Sequence, residues 1–291
     1  MLQLLSTTFR NSGARTKFFL NPPALARMST FNPYSRLQNK TVFITGATAG
    51  IGEACAWNFA KAGASLVISG RRESRLNELS KAIKNECPSA KIYSGKLDIQ
   101  QKSNVEKFVA ELPAEYKNID VLINNAGLVL GLDPLQNVLE SDMDTMLNTN
   151  VKGLVFCTQT LLPLLKKSPS GHIINIGSIA AIEAYKNGSI YCASKHAVRA
   201  ITQSLRCELA DSKVKISEID PGMVETEFSI VRFKGDKDRA NQVYRGIQPL
   251  VAQDIAEIAL FIASRPTHVE VCNLTVFPHG QYTATLSHRS E

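Results

Sequence analysis

The chain has 291 residues, 44% of them hydrophobic, enough to bury a full core as one large domain or two small ones. Its net charge of +7 suggests a nucleic acid or an anionic membrane as partner, but residues 1–52 carry +6 of it and the first acid is Glu53. The body is left at +1, without a basic stripe and without an apolar run near the roughly 20 residues a bilayer requires, which argues against both partners.

Residues 1–37 read as an N-terminal extension ahead of one domain over 38–291. Within it, residues 1–27 hold Arg10, Arg15, Lys17 and Arg27 and no acid. That composition resembles a mitochondrial transit peptide and implies the matrix. The alternative is an upstream extension with initiation at Met28, which implies the cytoplasm.

The elements then follow in order. KTVFIT at 40–45 reads as a short buried strand running into a glycine turn, with helix-period apolar positions over 52–62. ASLVIS at 64–69 is a second strand, followed by Arg71, Arg72 and a helix over 73–86. Residues 91–97 form a third strand, ending at Asp98. IDVLI at 119–123 is a fourth, ending in Asn-Asn-Ala-Gly. A helix is expected from about 150 to 167, a fifth strand at 172–176 (HIINI), and a helix through Tyr191 to about 210. Residues 214–219 give a sixth strand, ending in Asp220-Pro221-Gly222. A helix over 252–264 and a strand at 274–277 close the pattern.

Short β-rich runs alternating with helices predict an α/β fold, a single-domain Rossmann-type doubly wound parallel sheet. Ligands bind such sheets beyond the carboxyl ends of the strands. The glycine turn, Arg71, Asp98, Asn125, Ser178 and Pro221-Gly222 all fall at strand ends. The six cysteines and five histidines are scattered without metal-ligand spacing. No metal is expected, and the thiols read as buried and free.

TGATAGIG at 45–52 joins a strand to a helix. Glycines let the backbone approach a pyrophosphate, and a helix N-terminus offers it unpaired N–H groups. Gly46, Thr48, Ala49, Gly50, Ile51 and Gly52 are therefore expected to bind a dinucleotide. The spacing is Gly-x-x-x-Gly-x-Gly, and no P-loop lysine follows. After strand two an acid would bind the ribose hydroxyl of NAD, whereas arginine suits the 2′-phosphate of NADP. The chain has Arg71 and Arg72 there, so NADP is the expected cofactor, with Arg71 on the phosphate and Arg72 stacking on or capping the adenine side. Asp98 is expected at the adenine amino group and Asn125 at the adenosine ribose, with Ile99, Pro221, Gly222 and Val224 completing the cofactor wall.

YCASK at 191–195 places Tyr191 and Lys195 one helical turn apart. An ammonium group beside a phenol lowers the phenol's pKa, which makes the pair a candidate acid/base unit. Ser178 lies thirteen residues upstream, and Asn150 precedes it on a predicted helix. A Ser/Tyr/Lys hydrolase is the competing chemistry; it lacks a nucleophile elbow and leaves the glycine turn unused. Dinucleotide binding without catalysis would typically lose Tyr191, Lys195 or Ser178, and all three are present.

Together these motifs resemble the short-chain dehydrogenase/reductase family over about residues 38–285. NNAGLVLG at 124–131, PGMVETEF at 221–228 and VRFKGD at 231–236 are similar to NADP-dependent 3-hydroxy acid dehydrogenases of bacteria and fungi, which also act on L-allo-threonine or serine. The resemblance implies Tyr191 as proton donor and acceptor, Lys195 as the group that tunes it and binds the nicotinamide ribose, and Ser178 as the hydroxyl that orients the substrate oxygen. It implies that Asn150 holds a relay water and that Thr226 lies near the carboxamide and diphosphate. It also implies a homotetramer. TEFSIVRFKGD at 226–236 is expected to be a lid, from which Arg232 or Lys234 clamps a substrate carboxylate. The implied reaction is NADP-linked oxidation of small 3-hydroxy acids, among them 3-hydroxypropionate, and its reverse. Reduction of 3-oxoacyl thioesters, steroids or xenobiotic carbonyls is the alternative.

Overall fold

The computed structural model describes residues 33–290; the transit-peptide reading and the alternative start at Met28 lie outside the described residues. The elements are β1 (Thr41–Ile44), α1 (Gly50–Lys61), β2 (Ser65–Gly70), α2 (Glu73–Glu86), β3 (Ile92–Lys96), α3 (Lys102–Ala110) and β4 (Val121–Asn124). Next come α4 (Glu140–Leu147), a π-helical stretch (Asn148–Gly153), α5 (Leu154–Leu165), β5 (His172–Ile176), α6 (Ser189–Glu208) and β6 (Lys215–Pro221). The last are β7 (Val224–Glu225), α7 (Glu227–Arg232), α8 (Lys237–Gln242), β8 (Leu250–Val251), α9 (Ala252–Ala263) and β9 (Asn273–Val276).

One seven-stranded parallel sheet runs β3-β2-β1-β4-β5-β6-β9. The order reverses between β1 and β4, and a ligand crevice opens at that point. Four-residue β1 is buried throughout, as a central parallel strand must be. Its side chains alternate between faces. Val42 and Ile44 enter a core with Cys55 and Phe59 of α1 and Ile255 and Ala259 of α9. Phe43 enters the other with Phe108 of α3 and Leu161 and Leu165 of α5. Phe43 meets Phe108 edge-on at 5.8 Å. Burying such a side chain contributes about 1.5–3 kcal/mol, so the two cores hold the strand ends in place.

The structure corrects three expectations. The helix predicted from 150 begins at Glu140, and α4, the π stretch and α5 form one continuous rod. The sequence ESDMDTML buries only Met146 of α4, so it carries little apolar period. Helix α3 was not expected for a similar reason, since Val105, Phe108 and Val109 are its buried residues. The expected lid segment, 226–236, contains helix α7; α8 follows it, and β7, which precedes it, pairs with β8. All six cysteines are free, but Cys207 is exposed. No helix among the described residues is long and apolar enough to cross a membrane, and no group of metal-ligating side chains occurs among them.

Candidate active site

A cavity of about 420 Å³ opens at the carboxyl ends of β1, β2, β4, β5 and β6. Its floor is the glycine turn. Gly46 has φ +67°, and a Cβ there would lie 2.8 Å from the Cα of Ala126, so only glycine fits. The Nδ2 of Asn125 donates to the carbonyls of Thr45 and Gly46, both at 3.0 Å, and the Thr45 hydroxyl accepts from the amides of Asn125 and Ala126. Thus Asn125 braces the turn while also lining the cavity. Ala49, which precedes α1, offers no side-chain cap. The first N–H groups of α1 at Gly50 and Ile51 are therefore unclaimed by a side chain, and both residues line the cavity. A glycine cradle below an uncapped helix start fits a dinucleotide pyrophosphate. Gly52 does not line the cavity; it sits one step inside, against Asn125 Nδ2 and Gly46 O.

The far wall holds Arg71, Arg72, Asp98 and Ile99. Arg71 follows β2 and is exposed. Arg72 differs from expectation. Its guanidinium is tied to the Thr48 hydroxyl at 3.0 and 3.2 Å, to the Thr48 carbonyl at 3.2 Å and to Glu227 at 2.8 Å. It bridges the glycine turn and the start of α7 rather than standing free to stack. Asp98 accepts from the Gln100 amide at 3.0 Å.

On the opposite side, Ser178 follows β5 and Tyr191 and Lys195 lie on one buried face of α6. Ser178 Oγ accepts from the Ala180 amide at 3.1 Å, and its own N–H donates to Asp220 at 3.0 Å. Its hydroxyl also lies close enough to the Tyr191 phenol to favour the ionised form. Lys195 Nζ donates to the Ile176 carbonyl at 2.8 Å and lies 5.9 Å from the Tyr191 ring centroid. Burial pushes the lysine down to about 8, against the opposing pull of Asp220 and Glu218. The phenol is not lowered as expected. Burial raises Tyr191, and the Ser178 hydroxyl and the Arg232 charge offset this in part. Desolvation wins because the phenol is buried and the ammonium group is turned to a carbonyl.

Asn150 lies in the π stretch, beneath the cavity wall. Its Oδ1 accepts from Leu128 N at 2.9 Å, and its Nδ2 donates to Leu128 O and Ser194 Oγ at 2.8 and 3.0 Å. The side chain is occupied in fixing the loop after β4. Pro221, Gly222, Val224 and Thr226 complete the rim. Thr226 caps α7, accepting from Phe228 N at 3.2 Å.

Arg232, at the end of α7, is outside the cavity wall but beside its chemistry. Its guanidinium lies 5.8 Å from the Tyr191 ring centroid and 5.7 Å from that of Phe228, and it donates to the Tyr185 hydroxyl at 3.1 Å. Its Nε is buried without a partner. Lys234, the other clamp candidate, donates to Asp142 at 2.7 Å. Sequence reading missed Tyr185, which stands in no recurrent motif, and gave no role to Glu227 and Phe228, although both lie in the PGMVETEF stretch. It also passed over Glu218 and Asp220, although two acids two residues apart in an otherwise buried strand are a visible signal.

This arrangement pairs a nucleotide cradle with a buried hydroxyl, phenol and ammonium group. Comparison with known proteins agrees. The family model for short chain dehydrogenases matches residues 40–237, so the chain belongs to that family. The chain is 42% identical over 258 residues to the NADP-dependent 3-hydroxy acid dehydrogenase of Schizosaccharomyces pombe, covering 88% of this chain and 99% of that one. It is 41% identical over 241 residues to sulfoacetaldehyde reductase 2 of Chromohalobacter salexigens, covering 82% and 94%. Among solved structures, the closed form of serine dehydrogenase complexed with NADP+ superposes with a TM-score of 0.80 at 39% identity, covering 86% of this chain and all of that one.

Proposed function

We propose that this short-chain dehydrogenase oxidises small 3-hydroxy acids with NADP+ and reduces the matching 3-oxo acids. The observation that carries the reading is Arg232, a cation with an unpartnered buried Nε held against the Tyr185 hydroxyl beside Tyr191. An anionic substrate seated there would put its carbonyl near Ser178 and Tyr191. The substrate class is further supported by the relatives named above.

Arg71 would receive the 2′-phosphate, with the turn at Gly46, Gly50 and Ile51 on the pyrophosphate and Asp98 and Ile99 on the adenine side. When bound, NADP supplies the hydride acceptor or donor. The developing alkoxide needs a hydrogen bond and a proton. Tyr191 Oη gives or takes that proton, and Ser178 Oγ orients the same oxygen. Lys195 brings positive charge to the phenol. Since burial alone raises Tyr191 and lowers Lys195, closure over the ribose must keep the ammonium charged for the pair to work. Asn150 holds Leu128 and Ser194 in position around them.

NADP+ reduction with L-allo-threonine, L-serine and 3-hydroxypropionate tests the reading. Arg232→Ala should lower kcat/KM for these acids by roughly 10–150-fold, the scale of a charge-assisted hydrogen bond, and hardly affect their methyl esters. No turnover of any of the three, with good turnover of a bulky ketone, would favour the alternative reductase. Sulfoacetaldehyde with NADPH asks whether the clamp reads any small anion. We further propose a dihedral homotetramer, supported by Val155, Phe156 and Leu162 of α5, which stay half-exposed. A monomer mass by sedimentation at micromolar concentration would overturn it.

A further inference from the structure

Behind Ser178 lie two carboxyl groups that the mechanism leaves unused. Glu218 and Asp220 stand two residues apart on β6 and so share a face of the sheet. Glu218 is 2% exposed and Asp220 is fully buried. A Cβ placed on Gly177 would run into Asp220 Oδ1 and Glu218 Oε1 alike, so both oxygens border the same small space beneath the chain that leads to Ser178.

Their hydrogen bonds are unequal. Asp220 Oδ1 accepts from Ser178 N at 3.0 Å, and Oδ2 accepts from Arg199 Nη1 at 3.2 Å and Asn273 Nδ2 at 2.6 Å. That is the environment of an ionised carboxylate. Glu218 has no such set. Its Oε1 is buried with no donor. Its side-chain neighbours are Asp220 and the Thr202 hydroxyl, and that hydroxyl already donates its single proton to the Val198 carbonyl, with Oγ1 and O 2.8 Å apart. An ionised Glu218 would face a carboxylate with one oxygen unsatisfied. A protonated Glu218 would donate to that carboxylate, and the orphan would disappear.

We propose that Glu218 and Asp220 hold one proton between them and act as a positioning unit for the active site, with Asp220 fixing the Ser178 amide and the Glu218 proton keeping Asp220 there. This rests on the reading of Ser178 and Lys195 as site residues. The charged groups involved are few: Asp220 on the same strand and Arg199 and Lys195 on α6, while β9 and β5 contribute the neutral Asn273 and Asn175. Burial and the Asp220 charge push Glu218 up to about 8. The sign follows from this. A carboxyl raised in the fold contributes stability that is complete below its unfolded pKa of about 4.5 and is lost as pH rises through about 8. Above that pH two adjacent carboxylates repel, and the hold on Ser178 loosens.

Infrared titration of the full chain tests the proton without reference to substrate. A buried protonated carboxyl should be present at neutral pH, titrate near 8, and be lost in Glu218→Gln. In Asp220→Asn, with the neighbouring charge removed, it should titrate at lower pH. The positioning role is tested by the ratio of kcat/KM, Glu218→Gln over parent, with whichever carbonyl the parent reduces. Because the carboxamide donates to Asp220 at every pH, the ratio should be flat below neutrality and climb about tenfold towards pH 9, the size of one pK unit of coupling. Absence of the carboxyl band in the parent overturns the shared proton. A ratio flat across the whole range overturns the positioning role even if the band is present. A variant that fails to fold leaves the parent titration to decide. Failure of the parent on every 3-hydroxy acid would overturn the proposed function but leave the infrared result standing.

Discussion

The two ends of the cavity are built from different materials. Where the adenosine and phosphates are expected, the wall is backbone, glycine and exposed charge. Arg72 and Glu227 pair there at 2.8 Å with 47% and 46% of their side chains exposed. Where the reaction is expected, the wall is buried side chains. Just behind that wall, Arg199 and Asp220 pair at 3.2 Å with 30% and 0% exposed. An exposed pair is worth about 0–1 kcal/mol, whereas removing one partner of a buried pair costs about 3–5 kcal/mol. The first end can therefore be retuned by single substitutions, and the second resists them. One end binds with groups already solvated, and the other reacts with groups whose protonation is set by burial.

Three measurements press on that contrast. Tyr191→Phe should have the largest effect, lowering turnover by about 10²–10⁴-fold, the range for a general acid/base group, while NADP binding by fluorescence titration persists. A variant keeping more than about a tenth of parental turnover would show that the buried end does not carry the chemistry. Arg71→Ala should weaken NADP binding by about 1.5–3 kcal/mol and leave NAD binding nearly untouched. Equal losses for both cofactors would remove Arg71 from the phosphate. The smallest effect is expected for Glu227→Gln. Thermal unfolding should register no more than about 1 kcal/mol, because water screens the pair it breaks. A larger loss would mean that the exposed end is as tightly coupled as the buried one.

The contrast also explains what could be read in advance. The cofactor end is written in contiguous stretches, because a tight turn needs glycine wherever it occurs and a helix start is a local event. Residues 45–52, Arg71 and the parallel alternation of strands and helices were all legible for that reason. So was the spacing of Tyr191 and Lys195, which one helical turn dictates. The ties of Arg72 to Thr48 and Glu227 were not legible because those partners come from two other segments. Helix α4 was misread because its apolar face is too sparse to show a period.

The sequence by itself determined the fold class, the succession of the sheet's main strands along the chain and the identity of most groups around the cavity, since these follow from local propensity, hydrophobic period and turn chemistry. Only the tertiary structure decided their electrostatic state. Tyr191 and Lys195 are adjacent by helical geometry alone, yet burial moves the phenol up and the ammonium group down, opposite to the expectation for the phenol. Asp220 reaches Ser178 across 42 residues of chain, and Arg232 reaches Tyr185 across 47. Desolvation and such long-range pairing depend on what the whole fold packs around a group, and no stretch of sequence contains that information.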